Sequence, residues 1–271
     1  MFRQKGDQVI RVDYGRRVLM DVLGAARRPD SYAAMLLDMS AAEAFRREYR
    51  KKYGVPLTHL HLIIKAVAQT VEQEPWLNYM VAGYKIIQPS SIDIGVSVAA
   101  DESVTPVVVI TEANKKSLKE ICTELATRAG EAVRRERENM RRLNQLGRWL
   151  PFGFLRRPLV RFVAGRYRVR RLVIGTTQIT SLGFKDLAFH LPSHMGTAML
   201  LSVGGISKRP MVVGSNIEIR PTVYVVFQVD GRVVQAKRAM RAFRRFRRWI
   251  EHPHELEGYS GGDGQLLSGE E

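Results

Sequence analysis

Two stretches of the sequence carry side chains whose types and spacing could support chemistry at a carbonyl group. Residues 174–183 read IGTTQITSLG, and Thr180 and Ser181 bring hydroxyl groups to the end of an apolar run. Such hydroxyls can stabilise an oxyanion, although a threonine-rich strand on a half-buried sheet has the same composition. Residues 227–236 read FQVDGRVVQA, in which an apolar strand runs into Asp230, Gly231 and Arg232. Asp-Gly is typical of a tight turn, so these residues alone predict a turn.

The histidines do not predict a metal centre. His59 and His61 are two residues apart, so they cannot share one face of a helix. His190 and His194 lack a third and a fourth ligand nearby in the sequence. The segment 200–212 contains adjacent glycines but lacks the pattern of a Walker phosphate-binding loop. We interpret it as a turn between strands.

Composition and charge limit the class of protein. The chain has 271 residues, 45% of them hydrophobic, which is enough for a large core. The formal net charge of +16 favours anionic partners. The lone Cys122 excludes an internal disulfide framework and fits a reducing compartment. The sequence has neither an 18-residue uncharged apolar run nor an N-terminal signal core. We therefore expect a cytoplasmic protein that is soluble or peripheral to a membrane.

Two basic segments could contact an anionic surface. Residues 139–172 contain no acidic residue and many arginines interleaved with apolar side chains. The C-terminal helical segment is amphipathic, and its apolar side is predicted to contain Ala239, Met240, Phe243, Phe246 and Ile250. Such a helix either docks on the core with its arginines in water or lies on a membrane surface or polyanion. Because no nucleic-acid-binding module is present, a lipid surface is favoured over nucleic acid.

Helical and strand patterns alternate along the chain. Apolar spacing and capping residues predict helices at about 16–27, after Ser40, after Thr58, from Ser117 to about 146, and at about 235–250. β-rich runs at 32–39, 80–110 and 172–230 predict clustered strands. This mixture favours an α/β or α+β sandwich. The Gly-rich tail, 258–271, is predicted to be disordered.

Several of these segments occur in the same order in a known family. The stretch LTHLHLIIKAVAQTVEQEPWLN resembles "LTxLPFxxKAxAxALxxxPxLN", and IDIGVSV resembles "xNIGIAV". ITSLG stands where the family has "ISNLG", and VGGISKRPMVVGSNIEIRP resembles "VGRIxKKPVVxDGxIxIRx". The chain thus resembles the catalytic domain of the 2-oxoacid dehydrogenase dihydrolipoamide acyltransferases. The resemblance implies a chloramphenicol acetyltransferase-like fold, with a mixed β-sheet flanked by helices, as one domain over residues 1–257.

The family's signature motif, DHRxxDG, is altered. Its position in this chain holds Asp230, Gly231, Arg232, Val233, Val234, Gln235 and Ala236. In the family the histidine removes the proton from the thiol of coenzyme A or dihydrolipoamide, and a hydroxyl stabilises the oxyanion. The resemblance gives Thr180 the second role and assigns Thr180 and Ser181 to coenzyme A or acyl-CoA binding. Gly231 has no side chain to serve as the base, and Gln235 lacks the charge that supports the family's active-site loop.

The altered motif implies an acyltransferase-like protein that is catalytically impaired and has a structural, scaffold or regulatory role. The alternative is an active coenzyme A-dependent acyltransferase with a displaced base, such as His190 or His194 from a neighbouring subunit. A further alternative is a membrane-peripheral basic protein. The implied partners are copies of the chain in a homotrimer or a trimer-built assembly, or another member of the family. We expect no metal, lipoyl group, lipoyl domain or peripheral-subunit-binding domain.

Overall fold

Ten strands, six α-helices and a short 3₁₀ helix (Pro75–Asn78) lie in the part of the chain that the structure, a computed structural model, describes. That part comprises residues 6, 8–10, 30–98, 105–147, 166–181, 183, 190–192, 196–234 and 236–258. The helices are α1 (Ser40–Tyr53), α2 (His59–Gln73), α3 (Leu118–Gly147), α4 (Tyr167–Ile174), α5 (Ala236–Glu251) and α6 (His254–Gly258). The strands are β1 (Gln8–Ile10), β2 (Asp30–Asp38), β3 (Met80–Ala82), β4 (Lys85–Gln88), β5 (Ile94–Ser97), β6 (Val107–Ile110), β7 (Thr177–Ser181), β8 (Met199–Val203), β9 (Ser207–Val213) and β10 (Asn216–Asp230).

A seven-stranded sheet forms the centre of the fold. Six of its strands follow the order β2-β10-β8-β7-β5-β6, and β9 pairs with the first half of β10. β7 runs parallel to both of its neighbours, β5 and β8, whereas the other pairs are antiparallel. A smaller sheet has the order β1-β4-β3. The predicted mixed sheet with flanking helices is therefore confirmed.

The two faces of the large sheet differ in polarity. Ile179, Leu201 and Phe227 are in register across β7, β8 and β10, and all three are buried in the main core. The Phe227 ring lies 4.1 Å from Phe243 and 5.2 Å from Phe246, which dock α5 on this face. Because side chains alternate along a strand, Thr180 and its neighbours in register lie on the opposite face.

Helix α5 packs against the core, as one of the two interpretations of its sequence predicts. Ala239, Phe243, Phe246 and Ile250 are buried as predicted. The assignment of Met240 to the apolar side is wrong, since 48% of this residue is exposed. Its place is taken by two other buried residues, Ala242 and Trp249. The apolar side of α5 is thus occupied by the core, and its arginines face outward.

The starts of α1 and α2 test the predicted helix caps. Thr58 caps α2 as predicted, and its backbone N–H donates to Nδ1 of His61 at 3.0 Å. Burial lowers the pKa of His61 to about 4, so this ring is a neutral capping group. The predicted cap of α1 is wrong because Ser40 is the first helical residue. Its N–H donates to the Asp38 carboxylate at 2.8 Å.

Some predicted features fall on residues that the structure does not describe. These are the helix at 16–27, Gln235, His194, most of the basic segment 139–172 and nearly all of the tail 258–271. Among the described helices, none has the length and apolar character that crossing a bilayer requires. The predictions for the undescribed residues stay predictions.

Candidate functional site

Three side chains meet on the face of the large sheet opposite α5. Thr180 Oγ1 lies 3.2 Å from Nε2 of His190, and Ser202 Oγ lies 3.3 Å from Nδ1 of the same ring. Thr180 and Ser202 are buried, and His190 is half-buried. We call these three residues the hydroxyl cluster. A single imidazole therefore bridges two hydroxyl groups.

Strand register explains why the two hydroxyls are close. Thr180 of β7 is the direct partner of Ser202 of β8 in a parallel pairing, so both side chains leave the sheet on the same face. Neighbouring strands lie about 4.8 Å apart. An imidazole ring standing above this pair can reach one hydroxyl with each nitrogen.

The chemistry of the bridge depends on the neutral form of His190. Burial lowers the pKa of His190 below its ordinary value of 6.5. A neutral imidazole has one N–H donor and one unprotonated nitrogen that accepts. One hydroxyl of the cluster therefore accepts a hydrogen bond from the ring, and the other donates to it. At neutral pH the cluster contains one nitrogen that can take up a proton.

The altered motif forms the predicted turn at the end of β10. Backbone N–H groups of Val233 and Val234 donate to the Asp230 carbonyl at 2.9 and 3.0 Å. The fully buried Asp230 carboxylate accepts from the Arg232 backbone N–H at 2.9 Å, Nε at 2.9 Å and Nη2 at 2.6 Å. Hydrogen bonding to Asp230 raises the pKa of Arg232. We call residues 230–234 the motif turn. Its carboxylate is bonded to arginine, and Gly231 adds no side chain.

The hydroxyl cluster and the motif turn are far apart within one chain. Ser202 pairs with Val226 of β10, and Gly231 follows five residues later. Five residues of strand span about 17 Å, and two strand spacings add about 10 Å at right angles. The separation is thus about 20 Å. A group at position 231 could meet Thr180 only if the two belonged to different copies of the chain.

Thr180 and Ser181 point to opposite faces of the sheet because they are consecutive in β7. Ser181 lines a cavity of about 250 Å³ together with His59, Leu60, Ile63 and the glycines that follow β8. His59 Nε2 is bonded to Glu43 Oε2 at 2.8 Å at the edge of this cavity. The sequence predicts that Thr180 and Ser181 both bind coenzyme A or acyl-CoA. This stays a prediction, and the two hydroxyls lie on opposite faces of the sheet.

His190 contacts Thr180 of its own chain. The sequence instead offers His190 and His194 as groups that reach the site from a neighbouring subunit, and it does not predict this contact. One signal was present: Ser202 is the single polar residue in the apolar run MLLSV. Over the described residues, no group of three or more histidine, cysteine or acidic side chains could hold a metal ion.

Comparison with known structures defines the class of fold. A chloramphenicol acetyltransferase superposes with a TM-score of 0.52 and 11% identity, covering 93% of this chain and 97% of the other. The cubic core of the pyruvate dehydrogenase multienzyme complex gives a TM-score of 0.65 and 21% identity, covering 92% of this chain and 94% of that one. The fold is therefore that of the chloramphenicol acetyltransferase-like proteins.

Sequence comparison assigns the family. The profile described as 2-oxoacid dehydrogenases acyltransferase (catalytic domain) matches residues 4–143 and 161–257. The chain belongs to this family. It is 28% identical over 234 residues to the dihydrolipoyllysine-residue succinyltransferase component of the 2-oxoglutarate dehydrogenase complex of Bartonella vinsonii subsp. berkhoffii, which covers 83% of this chain and 49% of the relative. The chain spans about half the length of the first curated relatives that it matches.

Proposed function

We propose that this chain is an acyl-CoA-binding member of the acyltransferase family that is impaired in the family's thiol-dependent transfer. Its main role is then structural, as a scaffold or regulator in an assembly of copies or with another family member. The observation that carries the proposal is Gly231, which stands in the motif turn where the family has its basic histidine. Thr180 in β7 still provides a hydroxyl at the position where the family has the group that stabilises the oxyanion.

Loss of the base at position 231 has a calculable cost. A thiol with a pKa near 8.5 is only about 3% thiolate at pH 7. General-base assistance contributes roughly 10²–10⁴-fold to such steps. The buried Asp230 carboxylate cannot replace the imidazole because Arg232 already binds it through two nitrogens of its side chain. Transfer through the family's motif is therefore expected to be slow.

Assembly of several copies is supported by an exposed apolar face on the β9–β10 hairpin. Val212, Ile217 and Ile219 are each at least 75% exposed. Ile217 pairs with Val212, and Ile219 pairs with Pro210, so the four side chains lie on one face of the hairpin. A two-stranded ribbon with a bare apolar face is marginal in water. Contact with another copy would cover this face and could bring a motif turn to a neighbouring Thr180.

Two measurements test the proposed function. Calorimetric titration with coenzyme A and acetyl-CoA is expected to show binding that Thr180→Val weakens. Acetyl transfer from acetyl-CoA to dihydrolipoamide, followed by chromatography of the products, is expected to be far below the median enzyme turnover of about 10 s⁻¹. The double variant Gly231→His/Gln235→Asp is expected to be at least tenfold faster than the wild type.

Two outcomes would contradict the proposed function. Failure to bind either nucleotide would remove the acyl-CoA site. Wild-type turnover within tenfold of 10 s⁻¹ would show that the altered motif does not impair transfer. Sedimentation of the same samples checks the oligomeric state, for which we propose a homotrimer or a larger trimer-built assembly.

We also propose a cytoplasmic location with electrostatic contact to anionic membranes. Support comes from the outward face of α5, where Lys237, Arg238 and Arg244 are exposed. Because the apolar side of α5 packs on the core, such contact would be ionic and sensitive to salt. Flotation with anionic liposomes at low and high salt tests it, and absence of binding at low salt would contradict it.

A further inference from the structure

We propose, on the basis of the acyl-thioester site proposed above, that His190 is the proton acceptor for the acceptor thiol in acyl transfer and works beside Thr180 of its own chain. The hydroxyl cluster carries the proposal: His190 Nε2 lies 3.2 Å from Thr180 Oγ1, and His190 Nδ1 lies 3.3 Å from Ser202 Oγ. A base, the hydroxyl it touches and a group that orients the base are thus present together. This arrangement places a general base beside a hydroxyl that can stabilise an oxyanion.

Substrate binding would exchange the partners of His190 and Thr180. Without substrate, the imidazole and the Thr180 hydroxyl bond to each other. A thioester carbonyl that accepts a hydrogen bond from Thr180 leaves Nε2 available to the incoming thiol. The hydroxyl that stabilises the oxyanion and the base that receives the thiol proton then act at the same carbonyl group.

The proton and electron balance of the transfer closes without an additional reactant. Nε2 takes the proton of the acceptor thiol, and the thiolate sulfur forms a bond to the carbonyl carbon. The carbonyl electron pair moves to the oxygen, which Thr180 stabilises. When the tetrahedral intermediate collapses, the C–S bond of the donor thioester breaks. The leaving thiolate receives the proton from Nε2, and His190 returns to its neutral form.

Ser202 sets the orientation of the ring. In the reactive tautomer, Nδ1–H donates to Ser202 Oγ and leaves Nε2 unprotonated. Ser202 is buried in β8, so its position is fixed by the sheet. A neutral hydroxyl stabilises the imidazolium less than a carboxylate does. The cluster would therefore support slow transfer, consistent with an impaired member of the family.

His190→Gln is the variant that tests the base. Glutamine can form hydrogen bonds to both hydroxyls but cannot accept the thiol proton, so packing of the cluster is retained. We expect acetyl transfer to dihydrolipoamide to fall about 100-fold or more, while affinity for coenzyme A changes less than about twofold. His252→Gln, at an exposed histidine outside the cluster, is the matched control and is expected to leave transfer unchanged.

A second variant separates base chemistry from structural effects. His190→Ala opens a space beside Thr180, and added imidazole is expected to restore part of the lost transfer in a concentration-dependent way. Thermal melting and sedimentation of each variant verify that the fold and assembly are retained. Recovery in His190→Ala but none in the double variant His190→Ala/Thr180→Val would link the base to the Thr180 hydroxyl.

The outcomes distinguish this proposal from the proposed function. Transfer by His190→Gln at the wild-type rate would overturn the role of His190 and leave the acyl-CoA site intact. Binding of coenzyme A with no detectable wild-type transfer would also overturn the base, and it would leave the scaffold role standing. No binding of coenzyme A would instead overturn the proposed function itself.

Discussion

The motif turn and the hydroxyl cluster contain different parts of the proposed acyl-transfer site. The motif turn retains the Asp230–Arg232 ion pair that shapes the backbone, but Gly231 supplies no imidazole. The hydroxyl cluster retains the Thr180 hydroxyl and places His190 beside it. The turn at the end of β10 therefore forms although the motif lacks the histidine that the family has at position 231.

The energetics of the two regions also differ. The Asp230–Arg232 pair is fully buried on the aspartate side, and its loss would remove the carboxylate that accepts hydrogen bonds from the backbone and side chain of Arg232. The contacts in the hydroxyl cluster are between neutral groups, and each contributes only about 1 kcal/mol to folding. We therefore expect substitutions in the motif turn to change stability and substitutions in the hydroxyl cluster to change chemistry.

The largest expected effect comes from Asp230→Ala in the motif turn. We expect this variant to cost about 1.5–3 kcal/mol of folding free energy, because hydrogen bonds to a charged carboxylate are lost while Arg232 stays partly exposed to water. Denaturation in urea measures this cost. Glu218→Ala, which removes an exposed partner of Arg220, is the control and should cost about 0–1 kcal/mol. Equal losses in the two variants would contradict the structural role assigned to the motif turn.

Gly231→His in the His190→Gln background tests whether a base in the motif turn can replace the base of the hydroxyl cluster. An imidazole restored to the motif turn can reach Thr180 only in another copy of the chain, because the two sites lie about 20 Å apart in one subunit. We expect about tenfold recovery of acetyl transfer in the assembled protein. Mixing this variant with excess Thr180→Val subunits should reduce the recovery, and an unchanged rate per active subunit would contradict transfer between subunits.

Ile217→Lys on the β9–β10 hairpin is expected to dissociate the copies of the chain, so that the hydroxyl cluster and the motif turn can be tested without contacts between subunits. A charge on the exposed apolar face should weaken each contact between copies by about 2 kcal/mol, or roughly 30-fold in affinity. Mass photometry should detect monomers of this variant at protein concentrations at which the wild type is still assembled. Transfer that depends on His190 should persist in the monomer, whereas recovery by Gly231→His should be lost. Asn216→Lys, at an exposed position on the opposite face of the hairpin, serves as the control.

The smallest expected effect comes from Arg238→Glu and Arg244→Glu on α5. Each basic residue near an anionic lipid surface contributes about 1 kcal/mol, so each substitution should reduce liposome binding by about fivefold or more. Transfer and folding should not change, because both side chains are exposed and neither belongs to the hydroxyl cluster or the motif turn. Liposome flotation and urea denaturation provide the two readings.

Much of the fold follows from local sequence patterns. Thr58 before an apolar helical stripe predicts the start of α2, and Asp230 followed by Gly231 predicts the turn after β10. The predictions for Ser40 and Met240 failed because a neighbouring residue competed for the same role. Asp38 supplies the hydrogen bond at the start of α1, and Trp249 occupies the core in preference to Met240.

The hydroxyl cluster could not be derived in the same way. Thr180 was identified through resemblance to the family, and Ser202 through neither motif nor spacing. The contact with His190 depends on how the chain returns from β7 to β8, and no periodic pattern specifies that path. The pairing of Thr180 with Ser202 required knowledge that β7 and β8 are parallel neighbours with this register.

Strand β10 joins the β9–β10 hairpin to the motif turn without interruption. Its residues 225–229 pair with β2 on one side and β8 on the other, whereas 216–221 pair with β9. Amide hydrogens in the inner half should therefore exchange with solvent only on global unfolding, and those near the hairpin tip should exchange faster through local opening. Formation of contacts between copies would then appear as slower exchange at 216–221, with no change at the opposite end of the same strand.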